Sequence, residues 1–106
     1  MVKPTTQSSE RTSFHMVTLE AKLSDLIELF PNSYTSENTG EDKVNYDFVL
    51  ETYEGGHVFT LYDWKYYRPL KMDEVVYWNV GGFSKQATEQ GKKEILAALQ
   101  TKERTL

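Results

Sequence analysis

The chain has 106 residues, a formal net charge of −4 and no cysteine. This length fits one domain, and the lack of cysteine excludes disulfides, thiolate metal ligands and a cysteine nucleophile. No apolar run approaches the ~20 residues of a membrane span, and the first residues lack the apolar segment of a signal peptide. We therefore expect a cytoplasmic domain that does not contact a membrane.

The charge is distributed unevenly along the chain. Residues 13–63 carry ten acidic and two basic side chains, whereas residues 64–106 carry five acidic and eight basic ones. An acidic half of this kind can face a basic partner surface, because complementary potentials speed association and fix orientation. The alternative is that the acidic loops only keep a small protein soluble. We do not expect nucleic acid as a partner, because binding it requires a surplus of cations.

The N-terminal part of the chain shows little periodicity. Residues 1–12 are polar, which predicts a flexible tail before a single domain over residues 13–106. Phe14, Met16 and Val17 indicate a short strand or an extended entry segment.

A first helix is predicted over residues 18–30. Thr18 is a typical N-cap residue, and Pro31 ends the helix because it cannot donate to the helical ladder. The apolar residues recur at helical intervals on one face: Leu19, Leu23, Leu26, Ile27 and Phe30.

Three strands are predicted after a polar loop. Residues 44–51 alternate apolar and polar side chains, and the two-glycine turn YEGGH returns the chain as an antiparallel hairpin through residues 57–64. Residues 74–80 are rich in β-branched and aromatic side chains and form the third strand. Gly81 and Gly82 are expected to end it.

A second helix is predicted over residues 84–100, with Ser84 as its N-cap. Gly91 costs up to ~1 kcal/mol relative to alanine in a helix interior, so either packing is close there or the helix is weak. The element order (β)αβββα predicts an α+β domain of two layers, in which two helices cover one face of an antiparallel sheet of three or four strands.

The segment FTLYDWKYYR, residues 59–68, contains five aromatic rings. Side chains alternate along a strand, so rings point to both faces of the sheet, and one layer of helices covers only one face. Exposed Trp and Tyr are typical of binding surfaces, which predicts that a partner protein or a second copy of the chain binds the other face. Alternatively, the tail or the 31–43 loop covers it. The predicted partner-binding residues are Tyr62, Trp64, Tyr66, Tyr67, Trp78, Glu41, Asp42, Asp47, Glu51 and Glu54.

A second hypothesis is a nucleotide or cyclic-oligonucleotide ligand. Aromatic and cationic side chains can stack on a base and pair with a phosphate, and two glycines before a serine-capped helix can bind an anion. The glycine motif is neither a P-loop nor a dinucleotide-binding fingerprint, and it can equally serve only the turn. The residues of this hypothesis are Trp64, Arg68, Gly81, Gly82, Ser84 and Lys85.

Candidates for catalysis are few. His15 and His57 are isolated in the sequence, and neither a metal-ligand spacing nor a nucleophile elbow is present. Asp63 lies among aromatic residues and is a candidate acid or base, although a salt bridge to Lys65 or Arg68 is the simpler expectation. We predict a protein without enzymatic activity, metal or cofactor.

The chain resembles small uncharacterised proteins of tailed bacteriophages. The similarity covers residues 18 to 100 and consists of LIELFP, KVNYDFVLE, a glycine turn, FTLYDWKYYR and WNVGG. In those proteins a YDWK-like strand precedes a tryptophan-hydrophobic-Gly-Gly motif at similar spacing. The resemblance transfers no catalytic residues. It implies a stoichiometric role in the host cytoplasm, either inhibition of a host enzyme or defence complex, as anti-CRISPR proteins do, or sequestration of a signalling nucleotide.

Overall fold

The computed structural model describes residues 2–5, 12–35, 46–64 and 70–104. They form β1 (Lys3–Pro4), β2 (Ser13–Lys22), α1 (Leu23–Leu29), β3 (Tyr34–Thr35), β4 (Asp47–Glu51), β5 (Val58–Tyr62), β6 (Val75–Gly82) and α2 (Lys85–Arg104). The strands pair in the order β1-β4-β5-β6-β2, and β3 also pairs with β4. All these pairs are antiparallel. The α+β prediction is confirmed, but the described residues form a sheet of six strands rather than three or four.

The first helix is shorter than predicted, because β2 extends through Lys22. Residues 18–22 pair with β6, so the N-cap of α1 is Lys22, and the prediction of Thr18 as N-cap is wrong. Leu19 and Leu23 fit the spacing of both a helix and a strand, and pairing with β6 selects the strand for Leu19. Buried residues alternate with exposed ones along β2: Val17, Leu19 and Ala21.

Part of the predicted tail belongs to the sheet. Lys3 lies opposite Glu51 and Pro4 opposite Leu50, and Val2 packs against the hydrophobic core. The Lys3 ammonium lies 3.0 Å from a carboxylate oxygen of Glu51. Residues 6–11, which connect β1 to β2, lie outside the described residues.

The hairpin between β4 and β5 forms as predicted. Gly55 and Gly56 adopt φ values of 84° and 60°, a region that favours glycine. The Thr52 amide donates to the His57 carbonyl at 2.8 Å. The Glu94 carboxylate of α2 accepts hydrogen bonds from the Tyr53 amide at 2.7 Å and the Glu54 amide at 3.2 Å, which fixes the hairpin to the helix.

Both helices pack on the same face of the sheet. Residues from the two helices and from the sheet share one buried cluster, including Leu23, Leu26, Ile95, Phe48, Phe59, Leu61 and Trp78. Gly91 lies against the ring of Phe59, which confirms close packing as the reason for glycine within α2. Lys102 joins the helices, with its ammonium 3.2 Å from Asp25 and from Glu28.

The glycine pair lies within β6 instead of ending it. A Cβ at Gly81 would lie 2.6 Å from the Thr60 hydroxyl, and one at Gly82 would lie 2.9 Å from the Thr88 methyl group. Close approach of neighbouring elements therefore requires both glycines. The cap of α2 is as predicted, because the Ser84 hydroxyl accepts the Ala87 amide at 3.1 Å.

Candidate functional site

One face of the sheet lies opposite the helices. Directly paired residues of an antiparallel ladder point to the same face. Asp47 pairs with Tyr62, Tyr62 pairs with Asn79, and Asn79 pairs with Thr18, so these four side chains form a row across this face. We use the term open-face site for Asp47, Tyr62, Trp64, Tyr77 and Asn79.

The rings of the open-face site are accessible. Trp64 is 44% exposed and Tyr77 is 61% exposed. Tyr62 and Trp64 lie two residues apart and meet edge to face, with ring centroids 6.2 Å apart. Tyr62 also forms a side-chain hydrogen bond with Asn79, which ties β5 to β6 at this point. The site thus presents apolar ring surface that is held in place by its neighbours.

Asp47 is the acidic group of the open-face site. Its side chain is half-buried, and among the described residues it makes no hydrogen bond or ion pair. Burial raises the pKa of Asp47, because the charged form is poorly solvated there. Burial also raises the pKa of Tyr62; the hydrogen bond with Asn79 opposes this effect, and the charge of Asp47 adds to it. The described residues therefore stabilise the ionised carboxylate of Asp47 poorly.

The structure brings together only some of the predicted partner-binding residues. Tyr62, Trp64 and Asp47 share the open face, but Trp78 is fully buried under the helices, and its indole donates to the Ala21 carbonyl at 3.0 Å. The assignment of Trp78 to a binding surface is therefore wrong. Four of the predicted partner-binding residues lie outside the described ranges: Glu41, Asp42, Tyr66 and Tyr67.

Two predicted acidic residues lie near the hairpin instead. Glu51 is 9% exposed and already bonded to Lys3 and to the Thr5 hydroxyl, the latter at 3.0 Å. Glu54 is exposed in the hairpin turn, whereas Asp47 lies at the opposite end of β4. A single acidic surface formed by all the predicted carboxylates is not found among the described residues.

Sequence reasoning missed two residues of the open-face site, Tyr77 and Asn79. Tyr77 alternates with Trp78 along β6, so the sequence places one of these rings on each face of the sheet. The sequence does not indicate which face the helices cover. Leu19 points to the helix-covered face and pairs with Trp78, which leaves Tyr77 exposed on the other face.

The structure does not bring together the residues of the nucleotide hypothesis. Gly81 and Gly82 pair within the sheet, and the Ser84 hydroxyl and carbonyl already accept amides of α2. Gly82 pairs with Phe59, whereas Trp64 follows the end of β5, so Trp64 and Gly82 are separated by about 16 Å of extended chain at about 3.3 Å per residue. Lys85 follows β6 at that distant end, and Arg68 lies outside the described residues.

Catalytic candidates have structural roles where they are described. Asp63 is fully buried, and its carboxylate accepts the Tyr46 amide at 2.7 Å. His15 lies within 3.0 Å of the Gly82 carbonyl through Nε2. Residues 2–5, 12–35, 46–64 and 70–104 contain no cluster of three or more side chains suited to a metal ion.

Within those ranges, neither helix has the length and apolar character needed to cross a membrane. Comparison of the chain with protein-family models, with curated proteins and with solved structures finds no significant match.

Proposed function

We propose that this chain is a non-catalytic binding domain that docks a basic surface of a partner protein on the open-face site. One observation carries the proposal: a half-buried carboxylate without an ion pair among the described residues lies beside accessible rings on the sheet face opposite the helices. A cationic side chain of the partner would form an ion pair with the Asp47 carboxylate.

Arginine is the best match for this site. Its planar guanidinium can donate two hydrogen bonds to a carboxylate and stack on an aromatic face at the same time. Asp47 lies directly opposite Tyr62, and Trp64 follows Tyr62 on the same face. One guanidinium can therefore pair with the Asp47 carboxylate and stack on a ring at the same time. Trp and Tyr are also the side chains that most often dominate binding energy at interfaces.

The partner that we propose is a host protein, and the consequence of binding is its inhibition. The resemblance to small tailed-bacteriophage proteins supports this choice, because it implies a stoichiometric role in the host cell. The overall charge of −4 favours a basic target as well, through faster and oriented association.

A capture experiment with matched variants tests the proposal. The immobilised chain is exposed to a bacterial lysate, and bound proteins are quantified by mass spectrometry. The Asp47→Asn/Trp64→Ser variant removes an acid and a ring from the open-face site. The control variant, Tyr53→Ser/Glu54→Gln, removes a ring and an acid from the exposed hairpin turn, where Tyr53 is 74% exposed.

We expect a bound protein that the control variant retains and the open-face variant loses. Hot-spot side chains contribute about 2 kcal/mol or more each, so recovery should fall at least tenfold. Urea unfolding of both variants establishes that they remain folded. Equal recovery by the two folded variants, or loss only with the hairpin variant, would refute the open-face site.

A further inference from the structure

The outer edge of β2 is a second surface with its own chemistry. β2 is the last strand in the order of the sheet, and among the described residues no strand pairs with its far side. On the opposite side of the sheet the edge strands β1 and β3 have two residues each, whereas β2 has ten. An unpaired edge exposes a row of backbone donors and acceptors to which another strand can add.

The hydrogen bonds at β4 show how the backbone groups alternate across the sheet. In an antiparallel ladder, pairs that exchange hydrogen bonds alternate with pairs that do not. The Val49 amide points away from β5 and donates to the Ser33 carbonyl at 3.0 Å. Val49 and its partner Thr60 therefore form a pair without mutual hydrogen bonds, and the backbone groups of Thr60 point toward β6.

The same alternation reaches β2 through β6. Thr60 exchanges hydrogen bonds with Gly81, so the backbone N–H and C=O groups of Gly81 point toward β5. These groups point to alternate sides from one residue of β6 to the next. Those of Trp78, three residues earlier, therefore point toward Leu19 of β2. Thr18 and Glu20 then direct their N–H and C=O groups outward, away from β6. Their side chains lie on the sheet face opposite the helices.

This edge lies along a groove between the sheet and α2. One part of the groove has a volume of about 370 Å³ and is lined by Thr18, Leu19, Glu20, Tyr77, Lys92 and Leu96. A second hollow of about 460 Å³ lies on α2 and shares the lining residues Lys92 and Leu96. Thr18 and Glu20 of β2 and the side chains of α2 thus line neighbouring hollows beside this edge.

The two sides of the groove differ in charge. On the α2 side, the apolar surface of Leu96 lies beside two lysines, Lys92 and Lys93, and one acid, Glu89. Neither lysine forms an ion pair with another described residue, so the net charge of this side is positive. On the other side, Glu20 lies opposite Tyr77. A strand added here would present alternate side chains to the two sides.

We propose that this edge binds an extended segment of a partner protein, which adds to β2 as an antiparallel strand. Basic residues of the segment meet Glu20 and Tyr77, and the intervening acidic and apolar residues meet Lys92, Lys93 and Leu96. Strand addition of this kind takes affinity from backbone hydrogen bonds and specificity from alternate side chains. A second copy suits the edge less well, because a two-fold axis there places the lysines of both α2 helices beside each other.

The probe for this proposal is an acetylated and amidated heptapeptide, Lys-Val-Lys-Glu-Lys-Val-Lys. In antiparallel pairing with Thr18 and Glu20, its lysines share the side-chain face of those residues and direct their N–H groups at β2. One control peptide carries N-methyl groups on the two central lysines, and a second carries them on the two valines. Binding is followed by NMR titration and by hydrogen exchange of the Thr18 and Glu20 amides.

We expect the unmodified peptide to slow exchange at Thr18 and Glu20. Methylation of the two lysines should weaken binding about tenfold or more, since two backbone hydrogen bonds are lost, and methylation of the valines should change it less than about twofold. In the protein, Glu20→Pro removes the backbone N–H of residue 20, which points outward and is not used by the β2–β6 ladder. This substitution should therefore also weaken peptide binding. Glu20→Gln is its matched control, because it keeps that donor and changes only the side chain.

Three outcomes would overturn the proposal. The first is equal binding of the two methylated peptides to the protein. The second is that the Glu20→Pro protein binds the unmodified peptide as tightly as the Glu20→Gln protein does. The third is self-association of the free chain that Glu20→Pro abolishes, which would assign the edge to a second copy. The open-face variant Asp47→Asn/Trp64→Ser should bind the peptide normally, so failure here is distinguishable from failure of the proposed function.

Discussion

Replacing Gly91 with alanine tests how closely α2 packs on the sheet. Gly91 is buried within α2, and the Phe59 ring below it is fully buried. A Cβ at position 91 would lie 2.7 Å from two carbon atoms of that ring and 3.0 Å from a third. Carbon atoms attract best at about 3.5–4.0 Å, so the helix or the ring must move.

Two effects of this substitution oppose each other. Alanine favours the helix by up to about 1 kcal/mol relative to glycine. Inserting a methyl group into a filled core typically costs about 1–3 kcal/mol, and Phe59 cannot withdraw because it belongs to the main hydrophobic cluster. We expect the steric cost to prevail, with a net loss of about 1–2 kcal/mol in the free energy of unfolding.

Urea unfolding monitored by circular dichroism measures this loss. Lys93→Ala is the control, because Lys93 is exposed on the same helix and its substitution should change the free energy of unfolding by less than about 0.5 kcal/mol. Phe59→Leu provides a second check: in that background the cost of Gly91→Ala should shrink. A Gly91→Ala protein that is more stable than wild type by about 1 kcal/mol would refute the close packing of α2 on β5.

Three further predictions concern charge and ligands. Glu94→Gln should lower the free energy of unfolding at pH 7 by about 1–3 kcal/mol, because a charged acceptor of the hairpin amides is lost. Burial raises the pKa of Glu94, but hydrogen bonds from Gln90 and from the Tyr53 and Glu54 amides lower it below 4.5 overall, so the difference should persist above pH 4.5 and fade in urea titrations below it. Asp47→Asn should not reduce the free energy of unfolding at pH 7. Burial raises the pKa of Asp47 above 3.8, so the Asp47 carboxyl group stabilises the fold below pH 3.8, and this contribution is lost as the pH rises through the folded-state pKa. A lower free energy of unfolding of Asp47→Asn at pH 7 would contradict this. In thermal-shift assays nucleotides and cyclic oligonucleotides should leave Tm unchanged, whereas a true ligand at 100 times its Kd would add about 2.7 kcal/mol.

The elements with strong local signals could be predicted from the sequence. The β4–β5 hairpin follows from alternating side chains around two glycines with positive φ, and α2 follows from Ser84 and a helical apolar pattern. In contrast, β1 and β3 have two residues each and carry no periodicity. They form because the outer edge of β4 accepts them, which is a long-range effect that no local pattern encodes.

The boundary between β2 and α1 could not be predicted for a different reason. Leu19 and Leu23 satisfy both periodicities, and pairing with β6 decides between them. The same limit applies to the candidate site. Alternation predicted that Tyr62 and Trp64 share a face, but only the position of the helices shows that Tyr77 joins them and Trp78 does not.

The most direct test of the proposed function uses the two tryptophans of the chain as reporters. Trp64 lies on the open face, whereas Trp78 is buried and its indole N–H is bonded to the Ala21 carbonyl. In a ¹⁵N–¹H NMR spectrum recorded with the captured partner, we predict that the indole resonance of Trp64 shifts and exchanges more slowly with water, while that of Trp78 stays in place. An unchanged Trp64 resonance in a saturated complex would contradict the open-face site.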